Sequence, residues 1–205
     1  MIRVGLTGGY ATSKTFVASE LERLGCHVIY ADVLGHTVLE PGGAAYNPAV
    51  ELFGSEILDK QGAIDRRKLA GIVFQSPELL EKLTGIVHPA VFRLEEQTLH
   101  NFAKTDPLGI AVIEAAILVE TGRYKLLDRL IVTACDEQTQ IARGMKRDRA
   151  TREEVLARLR KQLPLEEKKL HAHYVIDTSG EKEETVRQVK AVYADLRQIA
   201  QDVRP

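Results

Sequence analysis

A short apolar run, Ile2 to Thr7, is interrupted only by Arg3 and Gly5 and empties into Gly8-Gly9-Tyr10-Ala11-Thr12-Ser13-Lys14-Thr15. A helical pattern follows at once, with Val17, Leu21 and Leu24 on one face and Gly25 as a stop. Next comes His27-Val28-Ile29-Tyr30, which reads as a second strand. A buried strand, a tight turn, a helix and another strand are the opening unit of an α/β fold. The turn also fits the phosphate-loop pattern G-x-x-x-x-G-K-[ST] at Gly8, Lys14 and Thr15, with Ser13 where the last glycine is usual. Such a loop works by aiming successive backbone N–H groups at phosphate oxygens, helped by the partial positive charge of the helix N-terminus. Lysine then reaches the β- and γ-phosphates, and the Ser/Thr hydroxyl holds Mg²⁺. If position 13 needs φ > 0, the Cβ of Ser13 costs about 1–2 kcal/mol, which is strain and not prohibition. Ala11 removes flexibility, and Tyr10 adds bulk at the tip. A plain glycine-bearing turn with a solvent lysine is the competing reading, but the strand–helix context favours phosphate. The expected nucleotide-binding residues are Gly8, Gly9, Tyr10, Ala11, Thr12, Ser13, Lys14, Thr15 and Phe16.

Composition narrows the field. The chain has 205 residues, 44% of them hydrophobic and 28% charged, enough for one ordinary compact core. Its net charge of −1 weighs against a general nucleic-acid binder. Two cysteines, Cys26 and Cys135, form neither a CxxC nor a disulfide framework, so a reducing compartment is expected. Met1 to Gly5 has no charged-then-apolar leader, and no apolar run approaches ~18 residues. A cytoplasmic protein without membrane attachment is therefore expected. Nothing in the sequence fixes an oligomeric state, and a monomer is the expectation.

Charge is distributed unevenly. Arg143 to Lys169 holds ten basic and five acidic residues, whereas the first sixty residues hold four basic and seven acidic. A basic segment in a near-neutral chain suits a local anionic ligand, although a solvated helix face with i,i+4 pairs would read the same. Within it, Thr151-Arg152-Glu153-Glu154 is a capping box opening a helix expected to reach about Leu163. Three more short runs, Gly109 to Ile113, Arg129 to Thr133 and Tyr174 to Ile176, read as strands of a parallel sheet. Val186, Val189, Tyr193, Leu196 and Ala200 stripe a last helix. Between about Val33 and Lys104 the chain reads as several helices with no convincing strand, punctuated by Pro41-Gly42-Gly43, Asn47-Pro48 and Gly54.

Beyond the loop, a set of motifs resembles the dephospho-coenzyme A kinases, a nucleoside-monophosphate-kinase branch of the phosphate-loop proteins. Gly5-Leu6-Thr7-Gly8-Gly9 is similar to the family's GLTGG opening. Tyr30-Ala31-Asp32 keeps the last Asp of its D-A-D motif, and His36 sits four residues on. Leu39 to Tyr46, Ile64 to Leu69 with Ile72-Val73-Phe74, and His88-Pro89 resemble its LEPGGPAY, IDRKKL…IVF and HP stretches. Glu114 to Gly122 is a weakened D-x-P-L-L-F-E-T-G, with Glu114 for Asp and Ala116 for Pro. Arg147 to Gln162 and Tyr174 to Gly180 resemble its lid and its YVIDNSG turn. The resemblance implies a three-layer α/β/α fold with a central parallel sheet. Residues 1–31, 105–136 and 172–205 would form the core, 32–104 a helical coenzyme-binding insertion, and 137–171 a basic lid.

It also implies an activity: transfer of the ATP γ-phosphoryl group to the ribose 3′-hydroxyl of dephospho-coenzyme A, the last step of coenzyme A synthesis, with ATP and Mg²⁺ as cofactors. Lys14, Asp32 and Arg147 would be catalytic, with Arg143 a second lid cation on the nucleotide. Asp32 at a strand end can orient the acceptor hydroxyl's proton, but from position alone it is equally a helix N-cap. Arg147 suits the transferring phosphoryl group, or pairs with Asp148. Asp32, His36, His88, Arg93 and Glu114 are the expected substrate contacts and Thr15 the metal ligand; Glu114 reads equally as a structural carboxylate, and a lone His before Pro, as at His88, is more often a structural group. His171 and His173 lack a partner at zinc-ligand spacing. Another small-molecule kinase, or a catalytically weakened binding protein of the same fold, are the alternatives, the latter suggested by Ala11, Ser13, Tyr30 and Ala116.

Overall fold

The structure is a computed structural model, described for residues 1–202. Its described residues divide into two compact units, residues 1–29 with 102–202, and residues 30–101.

The first unit carries a five-stranded sheet in the order β2-β3-β1-β4-β5. Its strands are β1 (Ile2–Gly8), β2 (His27–Tyr30), β3 (Ile110–Glu114), β4 (Arg129–Ala134) and β5 (Tyr174–Asp177). β1 pairs in parallel with β3 from Ile2↔Ile110 to Leu6↔Glu114, and with β4 from Val4↔Arg129 to Gly8↔Thr133. β4 pairs in parallel with β5 from Ile131↔Tyr174 to Ala134↔Asp177. Consecutive residues Ile110 to Ile113 and Leu130 to Val132 are all buried, the mark of a parallel sheet covered on both faces. Helix α1 (Lys14–Arg23) buries Val17, Ala18 and Leu21, and packs beside α9 (Lys182–Asp202), which buries Thr185, Val189, Leu196 and Ala200. Gly25 follows α1 at φ 100°, supplying the left-handed stop that the sequence predicts.

Between β4 and β5 lie α6 (Glu137–Asp148), α7 (Arg152–Arg160) and α8 (Leu165–Lys169). The capping box at Thr151 is present in full. The helix it opens ends at Arg160 and not near Leu163. Pro164 biases the residue before it away from helical geometry, so the chain turns before α8 begins.

The second unit is helical, as its punctuation suggests: α2 (Ala31–Thr37), α3 (Tyr46–Phe53), α4 (Arg66–Val73) and most of α5 (Pro77–Thr105). Gly54, at φ 79°, ends α3, and Asp65 caps α4 by accepting from the Arg67 and Lys68 amides at 2.9 and 3.2 Å. Ala49, Phe53, Ile57, Ile64, Leu69 and Val73 form its main buried cluster. No described helix is long and apolar enough to cross a membrane.

Candidate active site

Parallel strands bring their C-terminal ends to one edge, and in open α/β sheets ligands bind there. The loop from Gly8 to Ser13 leaves the end of β1 at that edge. Ala11 and Ser13 both sit in the left-handed region, at φ 58° and 57°. The strain expected at position 13 is therefore present, and position 11 shares it.

The loop's carbonyls are anchored by the scaffold. The Thr12 hydroxyl donates to the Gly9 carbonyl at 2.8 Å. Gln140 Nε2 donates to the Tyr10 carbonyl at 2.7 Å, and Thr178 Oγ1 donates to the Thr12 carbonyl at 3.2 Å. Thr12 and Thr133 hydroxyls meet at 2.8 Å beneath the loop. With carbonyls of Gly9, Tyr10 and Thr12 satisfied by the protein, and the Thr12 amide itself bonded to Gly9 at 3.4 Å, the first-turn amides of α1 are polar groups available to an anion. Gly8 admits no side chain, because a Cβ would lie 2.2 Å from Thr133 Oγ1 and 2.6 Å from the Thr133 carbonyl.

Ala11 to Phe16 line a cavity of about 590 Å³ together with Arg143, Lys146 and Arg147. Four cations (Lys14, Arg143, Lys146 and Arg147) and no carboxylate belong to this lining. Arg143 is fixed by three bonds, to Ser13 Oγ at 3.3 Å and to Thr178 Oγ1 and carbonyl at 3.3 and 2.6 Å. It therefore ties the loop, α6 and the turn after β5 together. A smaller recess of about 180 Å³ continues between Phe16, Arg143, Gly180 and Lys182.

Beneath the loop lies a fully buried lysine that the sequence does not mark. Lys168 Nζ donates to the Gly8 and Ala116 carbonyls at 3.3 and 2.9 Å and pairs with Glu120 Oε1 at 2.7 Å. Buried charge is tolerable only with this degree of pairing. Gln140, Thr133 and Thr178 are likewise unmarked in sequence yet fix the loop.

The structure thus gathers Ala11 to Phe16 with Arg143 and Arg147 around one cavity. Gly8 and Gly9 form the loop's base, and the side chain of Tyr10 turns to Arg147, Asp148 and Arg158. Glu114 ends β3 and is buried. Asp32, His36, His88 and Arg93 belong to the helical unit. Asp32 lies inside the first turn of α2, whose N-cap is Tyr30, so the cap reading of Asp32 gives way. His36 bonds Arg66, and His88 stacks obliquely on Phe92 at 5.7 Å. Arg93 lines a cavity of about 800 Å³ with Thr37, Val38, Gly43, Phe92 and Gln97. His171 meets the Tyr124 hydroxyl at 3.1 Å, and His173 Nδ1 accepts the Leu130 amide at 3.1 Å. Both cysteines are buried free thiols.

A parallel sheet with this loop at its edge defines a phosphate-loop protein. A shikimate kinase from Acinetobacter baumannii shares the fold at a TM-score of 0.51 and 14% identity over 100% of this chain and 96% of its own. The pattern of the family described as dephospho-CoA kinase matches residues 2–184, and the chain belongs to that family. A dephospho-CoA kinase of Aquifex aeolicus is 42% identical over 96% of this chain and 98% of its own. A dephospho-CoA kinase domain-containing protein of Danio rerio is 41% identical over 96% of this chain and 86% of its own. A crystal structure of a Thermus thermophilus protein superposes at a TM-score of 0.79, with 35% identity, over 95% of this chain and 97% of that one. The chain is accordingly a kinase that phosphorylates a hydroxyl group.

Proposed function

We propose that this kinase transfers the γ-phosphoryl group of ATP to the ribose 3′-hydroxyl of dephospho-coenzyme A, with the triphosphate seated in the cavity of the loop. The observation that carries this is the cavity's lining: a loop whose carbonyls are taken up by the scaffold, ringed by four cations with no acid among them. Phosphoryl transfer asks for positioning and charge neutralisation, and such a lining supplies both. Lys14 neutralises the β- and γ-phosphates, and Arg143 and Arg147 take the charge that develops on the transferring group. The exposed hydroxyl of Thr15, on the same cavity, fits the oxygen-donor preference of Mg²⁺ and would help hold it, and the ion would supply positive charge for phosphoryl transfer. Glu114, a buried carboxylate at the end of β3, would be a further oxygen donor on the substrate side.

Asp32 orients the acceptor hydroxyl and receives its proton. The apolar cavity of the helical unit, with Arg93 as its cation and His88 nearby in sequence, suits the coenzyme end of the substrate, and His36 lies on the same unit. Residues 137–171 act as a lid, and residues 32–104 as the coenzyme-binding insertion. The enzyme works as a cytoplasmic monomer. The loop keeps its left-handed geometry with Ala11 and Ser13 in place, so no observation favours the inactive alternative.

A coupled assay of ADP release tests the reading. The wild type should release ADP only with dephospho-coenzyme A present. Lys14→Ala and Asp32→Asn should each lower kcat/KM by about 10²-fold or more. Wild-type protein inert toward dephospho-coenzyme A would overturn it, and an Asp32→Asn variant at full rate would remove Asp32 from the mechanism.

A further inference from the structure

At the tip of the loop, Tyr10 makes a set of contacts that binding of a triphosphate to the loop backbone does not require. Its ring lies against Gly144 of α6, where an added Cβ would come 2.5 Å from Cε1 and 3.1 Å from the hydroxyl, so only glycine leaves the ring its berth. The Arg147 guanidinium sits over the ring at 4.8 Å from its centroid, and that of Arg158 at 5.8 Å. The hydroxyl donates to Asp148 Oδ2 and accepts from Arg158 Nη1 at 3.1 Å. Asp148 in turn takes Arg147 in a fork, Nε at 2.7 Å and Nη2 at 3.1 Å, and also bonds Arg158. Bonds from Arg147 and Tyr10 hold the Asp148 carboxyl well below the usual carboxylate range, so the cluster keeps its anion at any working pH.

The consequence is geometric. A guanidinium on a flexible stem has many orientations, and only some present donors to a phosphate. Here one ring under its face and one carboxylate along its edge fix the plane of Arg147. Nε–H and one N–H of Nη2 bond Asp148, so the guanidinium's other donors lie outside that fork. Arg147 lines the loop cavity. The ring comes from the phosphate loop itself, so the residue that fixes the arginine is carried by the segment that seats the nucleotide.

We propose that Tyr10 is a positioning residue for phosphoryl transfer: it sets the plane of Arg147, through its ring and through Asp148, and couples the basic segment 143–161 to the phosphate loop. The proposal rests on the kinase reading above. An arginine aimed at the group in flight contributes in the transition state more than in the ground state, so its misalignment shows in kcat and not in KM.

Steady-state kinetics of the full chain test this with Tyr10→Leu, Tyr10→Phe and Gly144→Ala. Tyr10→Leu should lower kcat by about 10- to 30-fold with KM for ATP within about twofold, and Tyr10→Phe, which keeps the ring, by about threefold. Gly144→Ala should displace the ring and match Tyr10→Leu in kcat, while its melting temperature stays level or rises, since alanine is the better helix former. Combining Tyr10→Leu with Arg147→Lys should cost little more than Arg147→Lys alone. The proposal is overturned if Tyr10→Leu and Gly144→Ala turn over at or above the wild-type rate, or if the loss lies wholly in KM. A wild type that does not phosphorylate dephospho-coenzyme A defeats the kinase reading instead. The coupling is then read by trypsin without nucleotide. Cleavage within 143–161 should be at least about fivefold faster in Tyr10→Leu, and equal rates would overturn the coupling.

Discussion

Ser13 stands at φ 57° and ψ 31°, where a Cβ crowds the following carbonyl. Its hydroxyl receives one weak bond from Arg143 at 3.3 Å, small compensation for the strain. Ser13→Gly should therefore stabilise the protein by about 1 kcal/mol and raise Tm by about 2–4 °C in calorimetry, whereas Ser13→Val should lower it. An unchanged Tm for both variants would mean that the loop relaxes around the side chain. The residues of the loop motif were legible because each is marked by its type: a lysine, a hydroxyl and glycines at fixed spacing. The residues that hold the loop in shape were not. Lys168 sits in Leu165-Glu166-Glu167-Lys168-Lys169, which reads as any solvated charged run. Only the return of the chain beneath β1 turns that ammonium inward. Thr133, Gln140 and Thr178 are single polar residues whose partners lie far away in sequence. Tyr10 reads as bulk at a loop tip until α6 and α7 bring it two arginines and an aspartate.

Among the elements, α7 shows how local signals succeed and where they stop. Glu154's amide donates to Thr151 Oγ1 at 3.2 Å, and Thr151's amide to Glu154 Oε2 at 2.8 Å. Thr151→Ala should cost about 1 kcal/mol, seen as faster amide exchange confined to the first turn of α7. Exchange unaltered there would show that packing alone holds the turn. Reciprocal capping needs only four consecutive residues, so the sequence displays it whole. The far end of α7 is set by a proline several residues on, and the expected end overshot. The five strands were legible because each is a short apolar run between helical stretches. In the helical unit the sequence promises helices without their extents. The 29 residues of α5 run through Pro89, whose ring ordinarily argues for a break.

For the molecule as a unit, Cys26 gives a test of stability against pH. Burial pushes its thiol from an ordinary value near 9 up to about 12, with Arg197 pulling weakly the other way. The folded protein keeps this proton where the unfolded chain has released it. Stability from this source is intact below pH 9 and declines above it, by on the order of 1 kcal/mol per pH unit until about 12. Urea titrations from pH 8 to 11 should show a steeper decline for the wild type than for Cys26→Ala, and parallel curves would rule the thiol out. The strand order carries a different consequence. β1 lies inside the sheet, yet both of its neighbours, Ile110–Glu114 and Arg129–Ala134, come from the second half of the chain. A ribosome making this protein therefore emits a largely apolar strand whose two hydrogen-bonding edges stay bare until that second half has emerged. The nascent N-terminal half is thus a natural client for a chaperone, and the loop after β1 has no finished support until Lys168 and Thr178 have been translated.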